Sequence, residues 1–172
     1  MKLSAIRRQL PITRISSNST LFGIIVASLC LLPPAALADG KDVNSYVGTW
    51  ILNVAKSRFR PGPPMQSETL IITETGGLWH VTDDEHFADG TSDHLEWSTK
   101  LNGTNNPITG GPDVDSVTDR LAKSYNATFM KAGRPVIWET ARVIDGVMHS
   151  SIHGKLPDGT PWKYYLVFER QR

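Results

Sequence analysis

The chain has 172 residues, of which 40% are hydrophobic and 20% are charged, and it contains one cysteine. This composition is typical of a globular protein and excludes a disordered chain, a collagen-like chain and a disulfide scaffold. Residues 1–38 hold four basic residues and no acidic one. Residues 39–172 therefore hold 14 basic and 17 acidic residues, a net charge near −3. With this charge, residues 39–172 offer no basic surface to nucleic acid and no attraction to an anionic membrane. Small molecules and proteins are left as partners.

The first 38 residues have the pattern of a secretory signal peptide. A basic, serine-rich stretch precedes the apolar run 21–32, and residues 36–38 (Ala-Leu-Ala) match a cleavage site. Two prolines end the run well short of the roughly 20 apolar residues that a membrane-spanning helix needs. We therefore predict cleavage after Ala38, a periplasmic or secreted protein without stable membrane insertion, and one domain over residues 39–172 that contains no cysteine.

The rest of the chain has the composition of β-strands separated by tight turns. Turn-forming pairs recur mostly every ten to thirteen residues, among them Gly76-Gly77, Asp89-Gly90, Asn102-Gly103 and Asp145-Gly146. The stretches between them are rich in Val, Ile, Thr and aromatic residues, and no helix is convincing. The predicted strands are 46–53, 67–75, 78–87, 91–101, 104–109, 114–121, 124–131, 134–144, 147–156 and 160–170.

Consecutive strands joined by tight turns predict an antiparallel meander. An open sheet of that many strands would leave two unpaired edges, whereas closure into a barrel pairs every edge and encloses a volume. The predicted fold is all-β, an antiparallel up-and-down β-barrel of about 8 to 10 strands that follows the signal peptide. A two-sheet sandwich with the same turn spacing is the alternative.

Alternation along the first and last strands predicts how the barrel closes. One face of the last strand is the more apolar and should point inward: Trp162, Tyr164, Leu166, Phe168 and Arg170. In the first strand Trp50 shares a face with Leu52, next to Gly48, where another backbone can approach closely. If the two strands pair, Arg170 can lie over the indole of Trp50, a cation–π contact of about 0.5 to 2 kcal/mol.

Both terminal strands carry a recognisable pattern. Residues 46–52 (YVGTWIL) contain Gly-x-Trp at Gly48 and Trp50, and residues 166–170 (LVFER) form the matching last strand. These segments resemble the calycins, the group of lipocalins and fatty-acid-binding proteins. Segments 55–59, 61–64 and 158–159 are also similar to a family of small exported bacterial lipocalin-like proteins. The resemblance implies a cup-shaped fold.

Two features differ from fatty-acid-binding proteins and argue against a fatty acid as ligand. Residues 54–66 contain three prolines and leave no room for the helix-turn-helix lid of those proteins. Their last strand presents an Arg-x-Tyr pair to the ligand carboxylate, and the matching positions here are Leu166 and Phe168.

Metal, cofactor and nucleophile motifs are missing from the sequence. On a strand His149 and His153 would stand roughly 13 Å apart, too far for one ion, and the acidic segment 83–86 is typical of a solvated strand end. There is no Gly-x-Ser-x-Gly elbow, phosphate-binding loop or dinucleotide fingerprint. We predict no metal and no cofactor; a metal site assembled from different strands is the alternative. An enzyme is the alternative, an isomerase, cyclase or lyase with His80 or Glu139 as its acid–base group.

Aromatic side chains favour the binding of a small, largely apolar or amphipathic molecule inside the barrel. The predicted ligand-binding residues are Trp138, Arg142, Tyr164, Trp162 and Phe129. Two alternations of strand 134–144 stay open, since one turns Trp138, Thr140 and Arg142 inward and the other buries Ile137, Glu139, Ala141 and Val143. A filled barrel that acts as a structural or interaction module is a third hypothesis. The sequence predicts neither an oligomeric state nor a protein partner.

Overall fold

The part of the chain that the structure describes is built almost entirely from antiparallel strands. The computed structural model describes residues 43–61, 65–156 and 158–172, and the predicted signal peptide lies outside them. The strands are β1 (Gly48–Leu52), β2 (Arg58–Arg60), β3 (Met65–Thr75), β4 (Leu78–Phe87), β5 (Ser92–Thr99), β6 (Asn102–Thr109), β7 (Ser116–Leu121), β8 (Tyr125–Lys131), β9 (Arg134–Ile144), β10 (Val147–Lys155) and β11 (Pro161–Arg170). Val43–Ser45 and Val54–Lys56 form short 3₁₀ turns. No helix in these ranges has the length and hydropathy to cross a bilayer.

The sheet closes on itself. From β3 to β11 each strand pairs with the next one along the chain, and β1 pairs with both β3 and β11. Within the described residues, ten strands therefore form a closed antiparallel up-and-down barrel, as the sequence predicts, and the sandwich alternative is wrong. This architecture is compatible with a calycin-like fold.

The turns have the chemistry that the glycine pairs predict. At Asp145-Gly146 and Ala132-Gly133 both residues have positive φ, as a two-residue type I′ hairpin requires. Strand β2 was not predicted, because three residues are too few to show an alternating pattern. It continues the line of β1 along the same edge of β11.

The pairing of β1 with β11 closes the wall of the barrel, and Trp50 and Arg170 lie in this seam. Trp50 is completely buried, lies opposite Arg170, and donates from Nε1 to the carbonyl oxygen of Tyr46 at 2.7 Å. The guanidinium carbon of Arg170 lies 4.4 Å from the centre of the indole ring, as the sequence predicts. Arg170 also donates to the carbonyl oxygens of Val47 and Ser45.

The role of Gly48 differs from the expected one. Gly48 has a φ of +141°, and a Cβ at this position would stand 2.9 Å from Nη1 of Arg170. The side chain of Arg170, and not another backbone, therefore occupies the space that the glycine leaves.

Replacing Arg170 by methionine should lower the free energy of unfolding by about 1 to 3 kcal/mol, because it removes the cation–π contact and both hydrogen bonds to carbonyl oxygens. Urea denaturation followed by tryptophan fluorescence measures the loss. Arg172→Met, two residues further on at an exposed position, is the control and should change stability by less than about 0.5 kcal/mol. Equal effects of the two variants would contradict a closing role for Arg170.

Candidate ligand-binding cavity

The barrel encloses a cavity of about 410 Å³. At roughly 30 Å³ per water molecule, this volume corresponds to about a dozen waters, and it lies within the range of small-molecule sites. The filled-barrel hypothesis needs a cavity of only a few waters, so the interior volume argues against it.

At the end of the barrel opposite to Arg170, loops take part in the lining of the cavity. The loops that join β4 to β5, β6 to β7 and β10 to β11 contribute lining residues there: Asp89, Thr91, Gly111, Pro112, Asp113 and Leu156. Strand β4 ends at Phe87, opposite Met65 at the start of β3, and the loop to β5 follows there. Because neighbouring strands run in opposite directions, the β6–β7 and β10–β11 loops lie at the same end. At the other end Tyr46 lies beneath the cavity and donates from its hydroxyl to the carbonyl oxygen of Ala141 at 3.1 Å.

Three of the five predicted ligand-binding residues line this cavity. Trp162, Tyr164 and Phe129 are part of its wall. On the last strand, the predicted inward face is correct for Trp162, Tyr164, Leu166 and Phe168, which all line the cavity.

Trp138 and Arg142 do not line it. Strand β9 has the second of the two alternations, with Ile137, Glu139 and Ala141 facing inward. Trp138 instead stacks on His153 with ring centres 5.5 Å apart. The inward set contains the smaller apolar residues, and Ala141 fits between its cross-strand partners Tyr125 and Ser150, both buried. A carboxylate-binding role for Arg142 therefore has no support from its position.

The position of Trp162 depends on a glycine in β10, which was not among the predicted site residues. Gly154 on β10 lies opposite Trp162, and a Cβ there would stand 2.8 Å from Cζ2 of the indole. The ring of Trp162 therefore packs directly over the backbone of its neighbour, 4.8 Å from the ring of Tyr164. A lone glycine inside a strand is a signal of such close approach, and Gly154 stands within a predicted strand.

Carboxyl groups form the main polar feature of the cavity. Glu68 from β3 and Asp83 and Glu85 from β4 point into it, with one oxygen from each group within 4.8 Å of the others. Glu139 of β9 adds a fourth carboxyl group to the lining. The expectation of a solvated strand end at 83–86 is therefore wrong for Asp83 and Glu85, because alternation along β4 turns them to the inside together with Val81.

Two of the inner carboxyl groups leave a buried oxygen without a partner, and no basic residue stands among the described lining residues. Glu68 is 5% exposed, and within the described residues neither its Oε2 nor Oδ1 of Asp83 has a hydrogen-bond partner. Among the described lining residues, seven are acidic and none is Lys, Arg or His: Glu68, Asp83, Glu85, Asp89, Asp93, Asp113 and Glu139.

Burial shifts the titration of the inner carboxyl groups. Burial, and then the neighbouring acidic groups, raise the pKa of Glu68 and of Asp83 well above the usual range. The pKa of Glu85 is raised to about 7, first by burial and then by Asp93 and Glu139. Burial also raises the pKa of Glu139, against the opposing effect of the Ser150 hydroxyl, which donates to its Oε1 at 2.7 Å.

Asp119, a buried acid that does not line the cavity, differs from the inner carboxyl groups in its hydrogen bonds. Asp119 is 1% exposed and accepts hydrogen bonds from Thr99 at 2.5 Å and from the Tyr125 hydroxyl at 3.4 Å. Both of its oxygens are partnered, whereas Glu68 and Asp83 each leave one buried oxygen without a partner among the described residues. This contrast favours a ligand-facing role for the Glu68, Asp83 and Glu85 group, which we call the carboxyl triad.

The histidine of the enzyme alternative lies outside the cavity. His80 is exposed and shares a hydrogen bond of 2.7 Å with the hydroxyl of Ser98. The other candidate, Glu139, does line the cavity. The carboxyl triad could hold a cation, and the aromatic wall could hold an apolar group.

No family model matches the chain, and neither a curated protein nor a solved structure matches it.

Proposed function

We propose that this chain is an exported lipocalin-like protein that binds a small amphipathic molecule in the barrel cavity. The observation that carries the proposal is the 410 Å³ cavity, which combines an aromatic wall with two buried carboxyl oxygens that have no partner among the described residues. A filled structural barrel would gain stability by replacing such groups with packed apolar side chains. Export is proposed from the leader pattern of residues 1–38.

Burial of the apolar part of the ligand would supply most of the affinity. Each 100 Å² of apolar surface that leaves water contributes about 2.5 kcal/mol. Trp162 and Tyr164 stand in the first half of β11, and Phe129 contributes to the wall from β8. Polar groups in the cavity then select the orientation of the ligand.

A large side chain placed inside the cavity should weaken the binding of a small molecule. Ile152 lines the cavity, and Ile152→Trp places a large ring inside it, so we expect at least tenfold weaker binding of the uncharged fluorophore N-phenyl-1-naphthylamine. Ile71→Trp is the matched control, because Ile71 is 37% exposed and absent from the lining, and its affinity should stay within twofold of the original protein. No saturable binding by the original protein, or equal affinity of both variants, would contradict the proposal.

A barrel enzyme is the second candidate function, favoured by the partly buried Glu139 and its bond to Ser150. A carboxyl group whose pKa is raised by burial and which has a fixed hydroxyl partner has the properties of an acid–base group. The test is to compare a ligand after incubation with the original protein and with Glu139→Gln. A ligand altered only by the original protein would establish catalysis, and a ligand recovered unchanged from both would favour binding alone.

A further inference from the structure

We propose that the cavity selects amphipathic organic cations, with an ammonium group at the carboxyl triad and the apolar body against the aromatic wall. This inference rests on the proposed small-molecule binding and adds the charge of the ligand. Its basis is the sign of the charges in the cavity, the unpartnered oxygens and the position of the aromatic rings.

The charges in the cavity all have one sign. The triad brings three carboxyl groups within 4.8 Å, and the described lining residues include no base to balance them. Ionised carboxyl groups so close together repel one another, and burial adds a desolvation cost. A bound cation removes both penalties, whereas an anionic ligand would increase them.

The unpartnered oxygens require hydrogen-bond donors. Oε2 of Glu68 and Oδ1 of Asp83 are buried and have no partner among the described residues. An ammonium group carries up to three N–H donors on a single charged centre, so one such group could satisfy several oxygens of the triad.

Aromatic rings line the same cavity as the carboxyl groups. Trp162 and Tyr164 are part of its wall together with Glu68, Asp83 and Glu85. Trp162 packs against Tyr164 with ring centres 4.8 Å apart. A ligand whose ammonium group lies at the triad can therefore place its apolar body against aromatic rings of the same cavity.

The cavity is larger and more apolar than a bare metal ion requires. A calcium ion takes six to eight oxygen ligands at about 2.3 to 2.6 Å, and three carboxyl groups account for a few of them. The rest of the 410 Å³ is bordered by apolar side chains, including Leu70, Val81 and Leu95. An organic cation uses both parts of the site, so it is the occupant that we infer.

Binding of a cation should be linked to proton release. The groups that face Glu85 are Asp83 on its own strand, Glu68 on β3, Asp93 on β5, Glu139 on β9 and Tyr164 on β11. None of them is positively charged, so an empty cavity favours the protonated carboxyl groups. A ligand cation favours the ionised form, and its affinity should therefore rise as the pH increases through 7.

Three probes with the same tail test the charge selection: octylammonium, 1-octanol and octyl sulfate. Each competes with N-phenyl-1-naphthylamine at pH 8, and the displacement is followed by fluorescence. We expect octylammonium to bind at least tenfold more tightly than either of the others. Its affinity should fall at least fivefold from pH 8 to pH 5.5, where the amine stays protonated, whereas that of 1-octanol should change less than twofold.

Substitutions separate the triad from the rest of the surface charge. In Glu68→Gln/Glu85→Gln the preference for octylammonium over 1-octanol should fall below threefold, while the affinity for the uncharged fluorophore is retained. Asp84→Asn/Glu96→Gln is the matched control, because these carboxyl groups lie on β4 and β5 with His94 between them and do not line the cavity. The control should keep the full preference.

The outcomes distinguish the two proposals. If the fluorophore binds and 1-octanol or octyl sulfate competes as well as octylammonium, charge selection is wrong and small-molecule binding stands. If neither the fluorophore nor any probe binds, the proposed function fails as well. Micromolar binding of calcium chloride alone that excludes octylammonium would overturn the organic cation in favour of a metal site.

Discussion

Replacing Trp50 by alanine should lower the free energy of unfolding by about 3 to 5 kcal/mol, a large part of the stability of a domain of this size. Trp50 is fully buried at the seam between the first and last strands, and the cavity left by the indole would weaken their contact. The variant also loses the bond from Nε1 to Tyr46 and the ring under Arg170.

Urea denaturation monitored by circular dichroism measures this effect without depending on tryptophan fluorescence. Trp138→Ala is the matched control, because the same substitution on the outer face removes only a partly exposed ring stacked on His153. We expect the control to cost about 0.5 to 1.5 kcal/mol. A similar loss in both variants would mean that the seam contributes no more than any other aromatic contact.

Replacing Glu85 by glutamine should stabilise the protein on the order of 3 kcal/mol at pH 8 and have little effect at pH 4. The pKa of Glu85 is raised from 4.5 to about 7 in the folded state. Between these values the folded protein retains a proton that the unfolded chain has lost, so the contribution of Glu85 to the free energy of unfolding falls as the pH rises. The substitution removes this penalty.

The measurement is the urea midpoint of both proteins at pH 4, 6 and 8. Glu96→Gln is the control, since its side chain is 57% exposed, and its effect should stay within about 0.5 kcal/mol at each pH. A gain of the same size at pH 4 and pH 8 would show that packing, and not the charge of Glu85, is responsible.

The two results together describe how stability and binding are divided in this barrel. The seam between β1 and β11 contributes stability through Trp50 and Arg170, whereas the carboxyl triad lowers stability near neutral pH. Groups that destabilise the empty protein and face a cavity are a frequent property of binding sites. An octylammonium-like ligand should therefore raise the unfolding temperature of the original protein more than that of Glu85→Gln.

The amino-acid sequence alone was sufficient to predict ten of the eleven described strands and their antiparallel order. These features depend on local signals, because glycine turns and strand alternation act within about ten residues. The inward face of β11 was predictable for the same reason, since its apolar residues occupy alternate positions. The contact of Trp50 with Arg170 followed only from the further expectation that the barrel closes.

The inner carboxyl groups and the alternation of β9 were decided only by the tertiary structure. Asp83 and Glu85 stand in an acidic stretch that local pattern assigns to solvent, and β9 has aromatic or apolar residues on both faces. Which face of such a strand points inward depends on the register with its neighbours, and a shift of one residue exchanges the two faces. The register that packs Ala141 between Tyr125 and Ser150 turns Glu139 into the cavity and Arg142 to the outside.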